Sequence, residues 1–113
     1  MLRKLLFVIA LIFSVFIGNA FADDEEVIER TITARDGRFI PEVVEVPAGK
    51  KIRLVLVNEG PGPEEFESTV LGFEKVMNEG VTRKVIIQPL KPGEYAFFGE
   101  FHMDTANGKI IAR

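Results

Sequence analysis

An all-β domain, a Greek-key β-sandwich or barrel, is what this sequence predicts, and three observations predict it. Short runs rich in β-branched and aromatic residues recur roughly every dozen residues. Clusters of Gly and Pro, "PAGK", "EGPGP", "NEG" and "KPGE", separate those runs, because Pro presets φ and Gly accepts positive φ in turns. Past the first 22 residues, no stretch sustains apolar residues at helical spacing.

Residues 1–22, "MLRKLLFVIALIFSVFIGNAFA", start with Arg3 and Lys4, run apolar from Leu5 to Ile17 and end on the small residues Ala20 and Ala22. That order is expected of a secretory signal peptide, and the apolar run is shorter than the roughly 20 residues that span a bilayer. Cleavage after Ala22 leaves residues 23–113 as one domain, not embedded in a membrane. The leader takes two of the 14 basic residues and none of the 17 acids, so the domain holds 12 bases against 17 acids, a net charge of −5. Such a balance speaks against nucleic acid as a partner. A small exported domain often needs a staple. With no cysteine in the chain, stability falls to a β-core, a bound ion, or both.

The acidic "DDEE" after the leader reads as a solvated tail. Strands are expected at Val27–Ala34, Val43–Val46, Lys51–Asn58, Glu67–Leu71, Val81–Gln88, Glu94–Phe98 and Lys109–Ala112. In "KIRLVLVN", Ile52, Leu54 and Leu56 alternate with Arg53, Val55 and Val57, so one face is wholly apolar and the other mostly so. That is the mark of a central strand. "VTRKVIIQ" has the same character after a polar start. Phe39, Phe66, Phe73, Phe97, Phe98 and Phe101 are expected first of all in the core, and Met77 is expected to pack at a strand end.

"VPAGKKIRLVLVNEG" followed later by "LKPGEYAFFGEFH" resembles the two halves of a cupredoxin. In that family a Pro-Gly-x-Tyr-x-Phe run leads to a Cys, then to a His three residues on and a weak axial ligand, all in one loop. Pro92, Gly93, Tyr95 and Phe97 match; Gly99 stands at the Cys place and His102 at the His place. The family's upstream His place falls in "PGPEEFEST", at Glu65 or Glu67. "EEFES" together with "FFGEFHMDTANG" is similar, more specifically, to the cupredoxin-like domains of bacterial periplasmic iron-uptake systems of the EfeO type. The resemblance spans residues 23–113. It implies a periplasmic location and a partner that is an iron permease or another periplasmic transport component, with a homodimer left open.

A blue-copper centre needs a Cys thiolate with two His, and a chain with no Cys and a single His cannot build one. The remaining donors are oxygens and one imidazole. On an extended strand Glu65 and Glu67 point to one side and Phe66 to the other, towards the core. If the later loop stays extended, Glu100, His102 and Asp104 share a side, with Phe101 and Met103 opposite. Pairing of the two segments, as in the family, would then gather Glu65, Glu67, Glu100, His102 and Asp104 as metal ligands. Oxygen and imidazole donors suit iron, manganese or copper(II) better than copper(I), so a mononuclear iron or copper ion is expected. Two carboxylates ~4 Å apart repel by about 4 kcal/mol at an effective dielectric of 20, which a cation offsets.

Each of these residues also has a plainer reading. A lone His beside acids is commonly a surface hydrogen-bonding residue, and acid runs are commonly solvated faces. Met103 is a soft donor or a gap-filler, Phe101 is placed to shield the site from water, and Gly99 keeps the backbone unobstructed where a sulfur would project. Three function classes follow: a periplasmic metal-binding accessory to iron uptake, a copper-assisted ferroxidase component, and a metal-free structural adaptor of a transport complex. No catalytic residue is assigned, since the His clusters of a multicopper oxidase are missing.

Overall fold

The computed structural model describes residues 26–113; the expected leader, residues 1–22, lies outside the described residues. Nine strands form two sheets: β1 Val27–Arg35, β2 Arg38–Ile40, β3 Val43–Val46, β4 Lys51–Gly60, β5 Glu64–Ser68, β6 Phe73–Met77, β7 Thr82–Ile87, β8 Gly93–Phe98 and β9 Asn107–Ala112. One sheet has the order β2-β1-β4-β7, the other β3-β9-β8-β5-β6. The β1–β4 and β3–β9 pairs are parallel and the other pairs antiparallel. The all-β sandwich is therefore as the sequence predicts.

The strand β4 holds an interior position in its sheet and buries Ile52, Leu54, Leu56 and Asn58 in strict alternation. Facing side chains of the two sheets close the core around Phe39, Phe66 and Phe97. These rings lie 4.7 to 5.6 Å apart between centroids, close enough to add aromatic contact to the burial of their area. Met77 is buried at the end of β6 as expected. Two phenylalanines depart from the core expectation: Phe98 is half-buried beside Glu67 on the face of β8 opposite the buried Phe97, and Phe101 lies in a 3-10 turn, Glu100–His102, and is 49% exposed.

Two strands have no counterpart in the expected set, and a third is displaced. The strand β2 follows Asp36 (φ 52) and Gly37 (φ 72), both left-handed as a two-residue type I′ hairpin requires. The strand β6, "FEKVM", lies at a sheet edge, where its charged Glu74 and Lys75 disguise the alternation. The expected strand Glu67–Leu71 instead ends at Ser68, and β5 starts three residues earlier, at Glu64. Gly72 (φ 78) closes the turn that stops it, donating its N–H to Ser68 O at 2.8 Å. The inward face of β5 is Glu64, Phe66 and Ser68, an apolar ring between two polar residues. Such a face does not look like the inside of a protein.

Buried Asn58 holds β5 in place from below. Its Nδ2 donates to Gly62 O and Met77 O, each at 2.9 Å, and its Oδ1 accepts the Gly60 N–H at 2.9 Å. One amide thus ties the end of β4 to the loop that enters β5 and to β6.

Candidate metal centre

The alternation of β5 separates two sets of carboxylates. Phe66 is fully buried in the core, so Glu65 and Glu67 point to the opposite face of the sheet. Across the antiparallel pair, Glu67 stands directly opposite Glu74 and Glu65 opposite Val76. Directly opposed residues share a face, which brings Glu74 to the same patch. On the other side, β5 meets β8 at Glu67 and Phe98, and the 3-10 turn after β8 supplies Glu100. The Glu100 N–H donates to Glu65 Oε1 at 3.3 Å.

Glu65, Glu67, Glu74 and Glu100 each present an oxygen within 4.8 Å of the others. Oxygens on opposite sides of one ion bonded at about 2.1–2.5 Å stand ~4–5 Å apart, so a single cation fits that span. The cluster has a graded exposure: Glu65 is 3% exposed, Glu67 half-buried, and Glu74 and Glu100 open to solvent. Burial pushes the Glu65 carboxyl up from 4.5 to about 8, helped by hydrogen bonds with the Glu100 and Glu74 side chains and by the charges of Glu100 and Glu67. A carboxyl raised in this way keeps a proton at neutral pH that an arriving cation can displace.

The single His takes a different place. The His102 Nδ1–H donates to Glu64 Oε2 at 2.5 Å, on the inward face of β5 rather than among the four carboxylates. Glu64 is 3% exposed, and its Oε1 accepts the Glu65 N–H at 3.0 Å. Gly99 shows what fills the family's Cys place. A Cβ there would meet Glu64 Oε1 at 2.8 Å, Ala106 Cβ at 2.9 Å and Glu65 O at 3.0 Å. The space for a thiolate is occupied by a carboxylate and a methyl group. These residues therefore do not fit a blue-copper ion, which needs sulfur and two imidazoles at that point.

Of the five residues singled out in the sequence, the fold brings together Glu65, Glu67 and Glu100. His102 is turned to Glu64, and Asp104 stands exposed outside the cluster. The extended loop that would have aligned Glu100, His102 and Asp104 is a 3-10 turn, in which residues three apart eclipse and residues two apart do not. Phe101 and Met103 are 49% and 59% exposed. Sequence reasoning missed Glu74 and Glu64. Recognition of β6 as the hairpin partner of β5 would have found Glu74, since the "STVLGF" turn between them carries Gly72. Glu64 carried no comparable signal.

A cupredoxin-like domain family model matches residues 5–112. A protein of Rickettsia prowazekii (strain Madrid E), designated "Uncharacterized protein RP394", is 40% identical over 115 residues, covering 96% of this chain and 92% of that protein. Among solved structures, auracyanin A, a "blue" copper protein of Chloroflexus aurantiacus, superposes with a TM-score of 0.67 at 12% identity, over 78% of this chain and 100% of its own. A copper-binding protein solved by NMR in its apo form superposes with a TM-score of 0.68 at 22% identity, over 80% and 92%. At those identities the two structures speak for the fold alone.

Proposed function

The chain belongs to the cupredoxin-like domain family, and on that footing we propose that it is a periplasmic metal-binding protein that carries one iron ion on Glu65, Glu67, Glu74 and Glu100, as an accessory to uptake through an inner-membrane permease. The observation that carries this reading is the convergence of four carboxylates around the buried Glu65, whose carboxyl is pushed up to about 8. Like charges held that close are costly unless protons or a cation neutralise them. An all-oxygen donor set favours a hard ion over copper(I). Glu67, Glu74 and Glu100 face solvent to different degrees, which gives the ion a way in and out, as a carrier requires. The leader-like first 22 residues and the likeness of "EEFES" and "FFGEFHMDTANG" to EfeO-type domains support the periplasm and iron.

Equilibrium dialysis against iron(II), iron(III), copper(II) and manganese(II) tests the cargo, with Glu67→Ala and Glu74→Ala beside the natural protein. One iron per chain, lost in both variants, is the expected result. Stoichiometric binding that survives both substitutions refutes the site, and a clear preference for copper(II) refutes the cargo. Retention of the protein on membranes containing the iron permease, and not on membranes lacking it, tests the partner.

A further inference from the structure

We infer that the Glu64–His102 pair pins the β8–β9 loop to β5 and holds Glu65 and Glu100 in position. Three observations converge on this. First, the side-chain place of residue 99 is taken: a Cβ there would meet Glu64 Oε1, Ala106 Cβ and Glu65 O at 2.8–3.0 Å. Second, the buried carboxylate of Glu64 has both oxygens satisfied without an ion, one by the Glu65 N–H at 3.0 Å and the other by His102 Nδ1 at 2.5 Å. Third, the loop around the imidazole is closed by its own chain. The Gly99 N–H donates to Ala106 O and the Ala106 N–H to His102 O, each at 2.8 Å, while Thr105 Oγ1 donates to Gly37 O at 2.5 Å.

A hydrogen bond between an imidazole and a buried carboxylate is among the stronger side-chain contacts. This one joins the residue before Glu65 to the residue two after Glu100, so it sets the distance between β5 and the 3-10 turn, two of the three elements that carry the cluster. Such a pin lets the carboxylates keep their arrangement before an ion arrives and after it leaves. That part rests on the metal-binding reading above; the pinning of the loop does not.

Amide hydrogen exchange of the metal-free protein tests the pin. His102→Phe keeps a ring and removes the donor, and exchange at Gly99, Thr105 and Ala106 should rise about tenfold or more while Leu54 and Ile110 keep their protection. In His102→Asn the side-chain N–H sits where Nδ1 was, and protection should return to within about threefold of the natural protein. Unchanged exchange in His102→Phe, or an Asn variant as unprotected as the Phe variant, overturns the pin. Iron(II) affinity, measured under argon, should fall about tenfold in His102→Phe and recover in His102→Asn. Raised exchange with unchanged affinity overturns the positioning of Glu65 and Glu100. A natural protein that binds no iron while its loop responds as described refutes the proposed function and leaves the pin standing.

Discussion

Gly99→Ala is the substitution whose cost can be worked most directly from the structure. Gly99 has φ −109 and ψ 118, extended backbone open to any residue, so alanine adds no conformational strain. The whole effect is steric. The new methyl would meet Glu64 Oε1 at 2.8 Å, Ala106 Cβ at 2.9 Å and Glu65 O at 3.0 Å, where ordinary contact distances are roughly 3.5–4.0 Å. Ala106 is fully buried, and its backbone is bonded in both directions, so it has nowhere to go. Glu64 can swing aside only by giving up His102 Nδ1. Overpacking of this kind costs about 1–3 kcal/mol, and a lost charge-assisted hydrogen bond adds about 1.5–3 when the group stays buried. A total of about 2.5–6 kcal/mol corresponds to a fall in Tm of roughly 10–30 °C for a domain of this size. Urea titrations of the natural and variant proteins, read as the change in midpoint at constant slope, give the value. A loss below about 0.5 kcal/mol, the range of an unremarkable surface change, would refute the claim that the Cys place is filled.

Glu65 holds its proton up to about 8 in the fold against 4.5 unfolded; between those values the folded state binds the proton that the unfolded state releases. Its contribution to stability is therefore full below pH 4.5 and is lost as pH rises towards 8. Glu65→Gln should flatten that decline, and a variant whose urea midpoint falls with pH as steeply as the natural protein's would contradict it. A bound cation should stabilise the domain by about 2.7 kcal/mol at a hundred times its Kd, seen as a rise in Tm with iron that Glu67→Ala and Glu74→Ala abolish; equal rises in all three proteins would place the ion elsewhere. Phe66 is fully buried, with rings of Phe97, Phe39 and Phe73 at 4.7, 5.3 and 5.8 Å, so Phe66→Ala should cost about 3–5 kcal/mol. A cost under about 1 kcal/mol would mean that β5 packs otherwise.

Legibility in the sequence tracked how each residue's environment is encoded. The strand β4 could be read because Ile52, Leu54 and Leu56 announce a buried face by alternation alone, whereas β5 starts on two glutamates that are both buried. Hydropathy cannot mark such a strand, because what makes the burial of Glu64 and Glu65 tolerable is partners contributed largely by other segments, His102 and Glu100 after β8 and Glu74 on β6. Glu65 and Glu67 were identifiable as ligand candidates from residue type and the spacing on β5, and Glu100 from its place in the loop after the aromatic strand. Glu74 depended on the register that sets it opposite Glu67. His102 was expected among the carboxylates because an extended loop would alternate its side chains; a 3-10 turn redirects the ring to Glu64.

By itself the sequence determined the β architecture, through its period of two and its Gly and Pro punctuation, and it ruled out a blue-copper centre by having no cysteine. Both are properties of residue type along one chain. Only the tertiary structure decided which acids converge, which one is buried enough to hold its proton, and that a carboxylate paired with the single imidazole occupies the Cys place. Those outcomes depend on strand register and on the course of one short turn: a one-residue slip of β5 would exchange its two faces and everything they carry, and an extended course after β8 would turn the imidazole away from Glu64.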